Sequence, residues 1–276
     1  MIQDPRDILS RYGIDTVAKI ALTPDLISRP HKLARAGFDA DKELYAIIFA
    51  IPYFTEVQEK NLSAYAVSRD YHLFFKELFD AILPEFRREY PKYSFSGFAD
   101  DSPIDERMSA AVGGLGVIGK NRLLITEKYS SYVFLGEIIT DMPLETVKEE
   151  IRQCEGCGKC ERVCPMSECG ICLSALTQKK GSLSDEEKQL IKKYGSVWGC
   201  DRCQEVCPHT QRAIADKTIF THFAFFKENS LPHLTLSDID KMSDEEFDLR
   251  AYSWRKRDTI RRNLLIFEDP DGECSN

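Results

Sequence analysis

Ten cysteines carry the chemistry that this sequence advertises. Nine of them fall between Cys154 and Cys207, and Cys274 stands alone near the end. The first run reads Cys154-x2-Cys157-x2-Cys160-x3-Cys164-Pro165. A [4Fe–4S] cube needs four thiolates at the corners of a tetrahedron. Two-residue gaps wrap a loop around one face of the cube, and the fourth cysteine of such a run ligates a second cube. The second run, Cys200-x2-Cys203-x3-Cys207-Pro208, is the same pattern with its first cysteine replaced by Val197. Crossing over between the runs assigns Cys154, Cys157, Cys160 and Cys207 to one cluster. It assigns Cys164, Cys200 and Cys203 to the other, with the fourth ligand open between Cys169 and Cys172. Two cubes within so short a segment mean electron transfer.

Rival uses of the cysteines fit less well. Disulfide scaffolds belong to small secreted chains, whereas this chain has 276 residues and keeps its first 153 free of cysteine. Its N-terminus, MIQDPRDILSRYG, lacks the basic and apolar regions of a secretory signal. A zinc ribbon needs only paired Cys-x2-Cys knuckles, so the triplet followed by Cys-Pro points to iron. No apolar stretch is long enough to span a membrane, and a cytoplasmic location is expected. With 43% hydrophobic and 30% charged residues the composition is that of a folded globular chain. The net charge of −8 argues against a general nucleic-acid binder. Against that trend, Arg250, Arg255, Lys256, Arg257, Arg261 and Arg262 form a local basic segment. It reads either as a solvated helix face or as a contact to a phosphate backbone.

The elements that must position these groups follow from pattern. Asp4-Pro5 opens a helix ending near Gly13. Residues 16–23 read as a strand, and Leu26 to Ala36 as a helix. The apolar run 44–54 reads as a strand buried on both faces. A helix over about Arg69 to Glu89 and a strand over 93–99 follow. Pro103 opens another helix. The segments RLLIT and YVFLGEIIT, flanking EKYSS, predict a β-hairpin. Strands mixed with crossover helices give an α/β or α+β domain over residues 1–150. The cysteine unit occupies 151–212 and is split by the hydrophilic helix SDEEKQLIKKYG. A segment over 213–276 has weak strand signals, a helix start at Ser243, and the basic helix.

Several stretches together resemble the epoxyqueuosine reductase family: RDYH (69–72), DDSPIDER (100–107), GGLGVIGKN (113–121), FLGEIITDMPL (134–144), the segment CLSALTQKKG from Cys172, and GCDRCQEVCP (199–208). The resemblance implies an N-terminal corrinoid-binding domain like the reductive dehalogenase core, joined to a bacterial ferredoxin-like domain with two [4Fe–4S] clusters. It implies cobalamin as a further cofactor and a low-potential donor such as a flavodoxin or ferredoxin. The reaction implied is reduction of epoxyqueuosine to queuosine at the wobble position of tRNA, with the anticodon stem-loop as partner and no role for a membrane. It also favours Cys172 over Cys169 as the open ligand. This chain departs from the family pattern in a shorter segment between Cys164 and Cys172, and in lacking the C-terminal helical-repeat extension of longer members.

The resemblance assigns roles residue by residue. Asp100, with Asp101 beside it, matches the acid that protonates the departing oxygen. The plainer reading is that one of the two caps the helix opened by Pro103. In GGLGVIGKN, Gly114, Gly116, Gly119 and Lys120 are expected to line the corrinoid, against the alternative of a tight structural turn. The loop lacks the glycine signatures of nucleotide folds. His72 is expected at the same site, and no histidine motif signals a lower cobalt ligand. His209, after the last Cys-Pro, reads as a surface residue or as a tuner of a cluster. Two other functions remain: a corrinoid-dependent reductase acting on a small molecule or a corrinoid protein, and a non-catalytic electron carrier.

Overall fold

The fold was read from a computed structural model that describes residues 4–56, 59–146, 148–165 and 170–268. The chain divides into two compact units interleaved in sequence. One comprises Met1–Tyr53, His72–Cys157 and Pro208–Phe223. The other comprises Phe54–Tyr71, Gly158–Cys207 and Ala224–Asn276. This differs from the expected linear division at 150 and 212. The cysteine segment is cut between Cys157 and Gly158, and a helix after the last cysteine returns to the first unit.

The first unit is built on a four-stranded sheet of order β1-β2-β6-β3, with every pairing antiparallel. The strands are β1 (Val17–Ala21), β2 (Tyr45–Pro52), β3 (Phe95–Phe98) and β6 (Val133–Thr140). As its unbroken apolar run predicts, β2 is buried at every position. Period-2 alternation along β6 separates two faces. On one, Gly136 lies so close to Phe49 and Phe75 that a Cβ would come within 2.5 Å of the Phe75 ring. This is the face covered by α3 (Tyr71–Glu89), whose buried Phe74, Phe75, Leu78, Ile82 and Phe86 form one apolar stripe. On the other face Leu135 and Ile139 pack with Ile48, Leu33 and the small residues Ala110 and Ala111. Two short helices, α2 (Pro30–Arg35) and α4 (Glu106–Val112), bring Leu33 and the two alanines there. Helix α1 (Pro5–Arg11) starts as expected, with the Asp4 carboxylate accepting from the Arg6 amide.

The expected hairpin is not formed. Strand β5 (Leu124–Thr126) pairs antiparallel with β4 (Gly116–Ile118), not with β6. The connection from β5 to β6 carries Ser130 at φ +51 and closes with the Ser130 carbonyl accepting from both the amide and the hydroxyl of Thr126. That tight turn uses up the end of β5 before it can run beside β6.

The second unit is helical among its described residues. It contains α5 (Lys159–Arg162), α6 (Leu173–Thr177), α7 (Asp185–Tyr194), α8 (Arg202–Glu205), α10 (Leu236–Lys241), α11 (Asp244–Asp248) and α12 (Arg257–Glu268), while α9 (Pro208–Ala215) belongs to the first. The weak strands expected after residue 213 do not form: residues 216–235 are irregular apart from a 3-10 turn at Ala224–Phe226, and helix resumes at Leu236. Capping boxes at Ser184, Thr235 and Ser243 start three of the unit's helices. Trp198, Tyr252, Ile260 and Leu264 anchor one core, while Leu173, Leu176, Leu183 and Ile191 form a second. Buried Asn263 ties these together, donating to the carbonyls of Thr177 at 2.7 Å and Val197 at 2.9 Å. No helix among the described residues is long and apolar enough to cross a membrane.

Candidate active site and cysteine loops

Asp100 sits just past β3 at φ +62, a left-handed conformation uncommon for a residue with a Cβ. Its Oδ2 lies 3.4 Å from Nε2 of His72, near the start of α3, and both side chains are about half exposed. The two neighbouring acids are separated in role. Asp101 points to α2, where Arg29 binds its carboxylate at 2.7 Å and Lys32 pairs with it as well. The hydrogen bond from Lys32 holds the Asp101 carboxyl below its ordinary range. Neither aspartate caps the next helix. Helix α4 begins at Glu106, not at Pro103, and its cap is Asp105, which accepts from the Met108 amide. The capping alternative for Asp100 is thereby removed.

Behind Asp100 lies a feature that the sequence analysis missed. Glu137 on β6 is completely buried. It faces Glu106 from α4, with the Ser102 hydroxyl close by. Burial first, then the charge of Glu106, push the Glu137 carboxyl well above the ordinary carboxylate range. Burial likewise raises Glu106, which accepts a hydrogen bond from the Asp100 backbone. The period-2 pattern of FLGEIIT gives only a partial signal, since neither Glu106 nor the sheet order can be read from it. It places Glu137 between Leu135 and Ile139 on a face that is otherwise apolar.

The glycine loop is explained by its own packing. A Cβ on Gly113 would come within 2.5 Å of Ala18, and one on Gly116 within 2.3 Å of the Ile125 carbonyl across the β4–β5 pair. At Gly119 it would meet the Asn121 amide oxygen at 2.3 Å. Gly114 takes φ +78 beside Glu149. These close contacts are with the protein's own atoms. The loop also holds the first cysteines. The Ile118 amide donates to the Arg152 carbonyl, and the Cys154 amide donates back to the Ile118 carbonyl. The Lys120 side chain reaches toward Gly156, between Cys154 and Cys157.

Cys154 and Cys157 belong to the first unit. Cys160, Cys164, Cys172, Cys200, Cys203 and Cys207 belong to the second. Cys172 is the N-cap of α6, and its charge acts on Cys200. Burial pushes the Cys200 thiol up, and its side chain packs on the core formed by Leu173 and Leu176. The Gly199 amide donates to the Thr177 hydroxyl at the end of α6, which seats Cys200 beside that helix. Cys169 lies outside the described residues. Among the described residues no group of three His, Cys, Asp or Glu side chains converges as a single-ion site. The donors are soft thiols at the spacing that suits an iron–sulfur cube. Two cavities of the second unit, about 190 and 520 Å³, are lined by none of the residues expected to hold the corrinoid. The smaller is walled by Cys200, Lys60 and Asp201, with Lys60 bridging Asp201 at 2.5 Å and Glu205 at 3.0 Å.

The basic segment is largely occupied. Arg257 donates to the carbonyls of Ile239 and Ser243 and pairs with Asp244. Arg261 pairs with Asp240, Arg262 caps the carbonyls of Lys179 and Gly181, and Arg250 donates to Asn229. Arg255 differs, stacking 4.0 Å over Trp254, a ring that is 56% exposed.

No protein-family model matches the chain. An epoxyqueuosine reductase of Listeria monocytogenes is 30% identical over 253 residues, which is 82% of this chain and 64% of that protein. In the first three curated relatives, all epoxyqueuosine reductases, the match covers 39%, 54% and 63% of their own length, so this chain spans only part of them. Among solved structures, epoxyqueuosine reductase from Streptococcus thermophilus superposes with a TM-score of 0.73 at 23% identity, covering 95% of this chain and 79% of that one. An epoxyqueuosine reductase crystallised with an epoxyqueuosine-modified tRNA-Tyr stem loop gives 0.72 at 23% identity, covering 95% and 80%. The chain shares its fold with these structures and is similar in sequence to curated epoxyqueuosine reductases.

Proposed function

We propose that this chain reduces epoxyqueuosine to queuosine in tRNA, drawing electrons through two [4Fe–4S] clusters to a bound cobalamin. The observation that carries the reading is the placement of Asp100. It stands on strained backbone beside His72, is not used as a helix cap, and is backed by a buried carboxyl pair. Removing the epoxide oxygen consumes two electrons and two protons, leaving an alkene and water. The cobalamin, when bound, supplies the electron-rich metal that the carbon–oxygen bonds require. Asp100 supplies a proton to the departing oxygen, and His72 orients its carboxyl.

The spacing and unit membership of the cysteines support the clusters. Cys164, Cys172, Cys200 and Cys203 lie within one unit, and Cys172 acts electrostatically on Cys200 across the α6 cap. Cys154, Cys157, Cys160 and Cys207 make up the other set by spacing. His72 and Lys120 are the residues assigned to the corrinoid, with Gly114, Gly116 and Gly119 shaping the loop that carries Lys120. For RNA, the exposed Trp254 ring with Arg255 stacked on it offers a platform for a base. The epoxyqueuosine-modified tRNA stem loop borne by the solved relative supports tRNA as the partner. A flavodoxin or ferredoxin is the donor class that suits such clusters.

The test is anaerobic purification with iron, sulfide and cobalamin quantified, followed by turnover of epoxyqueuosine-containing tRNA with a chemical reductant. Two clusters, bound cobalamin and queuosine formation are expected. Cluster-loaded, cobalamin-bound protein that leaves the modified tRNA unchanged would replace this reading with a corrinoid reductase of another substrate.

A further inference from the structure

We propose that Glu106 and Glu137 share a single proton and serve as positioning residues behind Asp100, fixing its loop and keeping its carboxyl in the proton-bearing form. The inference rests on the reading of Asp100 as the acid and adds two residues to it.

Glu137 is fully buried at the centre of β6, opposite Ile48 of β2 and Phe98 of β3. Neither of its carboxyl oxygens is met by a backbone amide or a cation, and the same holds for Oε1 of Glu106. Two carboxylates cannot both stay ionised in such a place, because desolvation and mutual repulsion add. One proton held between them removes the repulsion and satisfies an oxygen of each. The groups facing the pair are Ser102 and Asp100 from the preceding loop and Asp105 at the head of α4. Among the described residues no cation is among the groups acting most strongly on the pair, and Arg29 and Lys32 are engaged by Asp101. His72 lies against Asp100, with its Nε2 3.4 Å from Oδ2.

Two consequences reach Asp100. Glu106 accepts the Asp100 backbone N–H, a tether that stabilises the left-handed turn which a side-chain-bearing residue resists. The single negative charge left on the pair also opposes a second charge on Asp100, since like-charge coupling acts on both partners. That repulsion opposes ionisation of Asp100, which is what a proton donor requires.

The experiment uses the anaerobically purified full chain with Glu137→Gln and with Glu106→Gln/Glu137→Gln. The first readout needs no turnover. Infrared difference spectra across a pH titration should show a protonated-carboxyl band in the native protein near neutral pH, absent from the double variant. Denaturant stability should fall as pH rises above the ordinary carboxylate range in the native protein and stay flat in the double variant. The second readout is the pH–rate profile with modified tRNA. The limb reporting loss of the acid's proton should move toward lower pH by roughly one unit in the double variant. A native protein with no protonated-carboxyl band and pH-independent stability overturns the shared proton, whatever the enzyme's substrate. An unmoved limb in the double variant overturns the link to Asp100. Should the double variant fail to fold, Glu137→Gln alone, nearly isosteric, must flatten the stability profile or the proposal falls. Absence of turnover in all variants, with the band and stability profile as expected, locates the failure in the proposed reaction and not in the pair.

Discussion

Asp100 and Asp101 are adjacent in sequence and alike in chemistry, yet they do different work. Asp101 is held by Lys32 and Arg29, so its carboxyl ionises more readily than usual, whereas Asp100 is left to His72 and the buried pair. Asp100→Asn is therefore expected to cut turnover by about 10²–10⁴-fold, the share a positioned acid supplies, while cobalamin and iron contents stay unchanged. Asp101→Asn should leave turnover near native. Its pH signature has a definite sign. Because folding lowers the Asp101 pKa, its interaction contributes above the unfolded pKa and is lost as pH falls through the folded one. Asp101→Asn should accordingly flatten the acid limb of the stability profile, measured by urea titration below pH 5. At the cysteines, Cys172→Ala should lower bound iron from about eight to about four per chain, because one cube loses a corner. A Cys169→Ala protein that loses the same iron would reverse the assignment. The cysteine spacing was fully legible in the sequence, since a cube fixes its ligands' separation along the chain. The Glu106–Glu137 pair was not. A lone glutamate in a strand looks solvent-facing until the sheet order shows that β6 is an inner strand.

Asp105, not Asp100, starts α4, and a β5 that pairs with β4 replaces the hairpin. Both misreadings came from taking proline and turn signals as boundaries. Pro103 fixes its own φ but leaves the helix to begin where a side chain can cap the free amides. The prediction at this scale is that Asp105→Ala destabilises the first unit by about 1 kcal/mol, the usual worth of an N-cap. The cost should appear as a lower denaturation midpoint with unchanged slope. Legibility was best for β2, whose apolar run has no reading except burial on both faces. It was also good for helices with capping boxes, such as α7 and α11. It was poorest after residue 213, where short helices held by tertiary contacts lack the long periodicity that betrays a helix. The glycine loop packs against the protein itself, across β4 and β5 and along the segment leading to Cys154.

At the scale of the whole chain, a net charge of −8 stands beside the proposed RNA substrate. The basic run of 250–262 does not resolve this by bulk charge, because most of its guanidinium groups are consumed by carbonyls and carboxylates within the second unit. Arg257→Ala should therefore act on stability, lowering the unfolding midpoint, with little change in the salt dependence of RNA binding. Trp254→Ala should instead weaken binding of an anticodon stem-loop by about 1–3 kcal/mol, the value of one stacked base. Fluorescence anisotropy at fixed salt reads both. Equal, small effects of the two substitutions on binding would remove Trp254 from the interface.

The interleaving of the two units sets an order of events during synthesis. The first unit recruits Pro208–Phe223, so a nascent chain cannot complete it until that helix clears the ribosome. By then all nine clustered thiols have already been made. The window in which those thiols are displayed on unfinished polypeptide thus opens before the sheet domain is sealed. The same window leaves this chain vulnerable to oxygen at that stage.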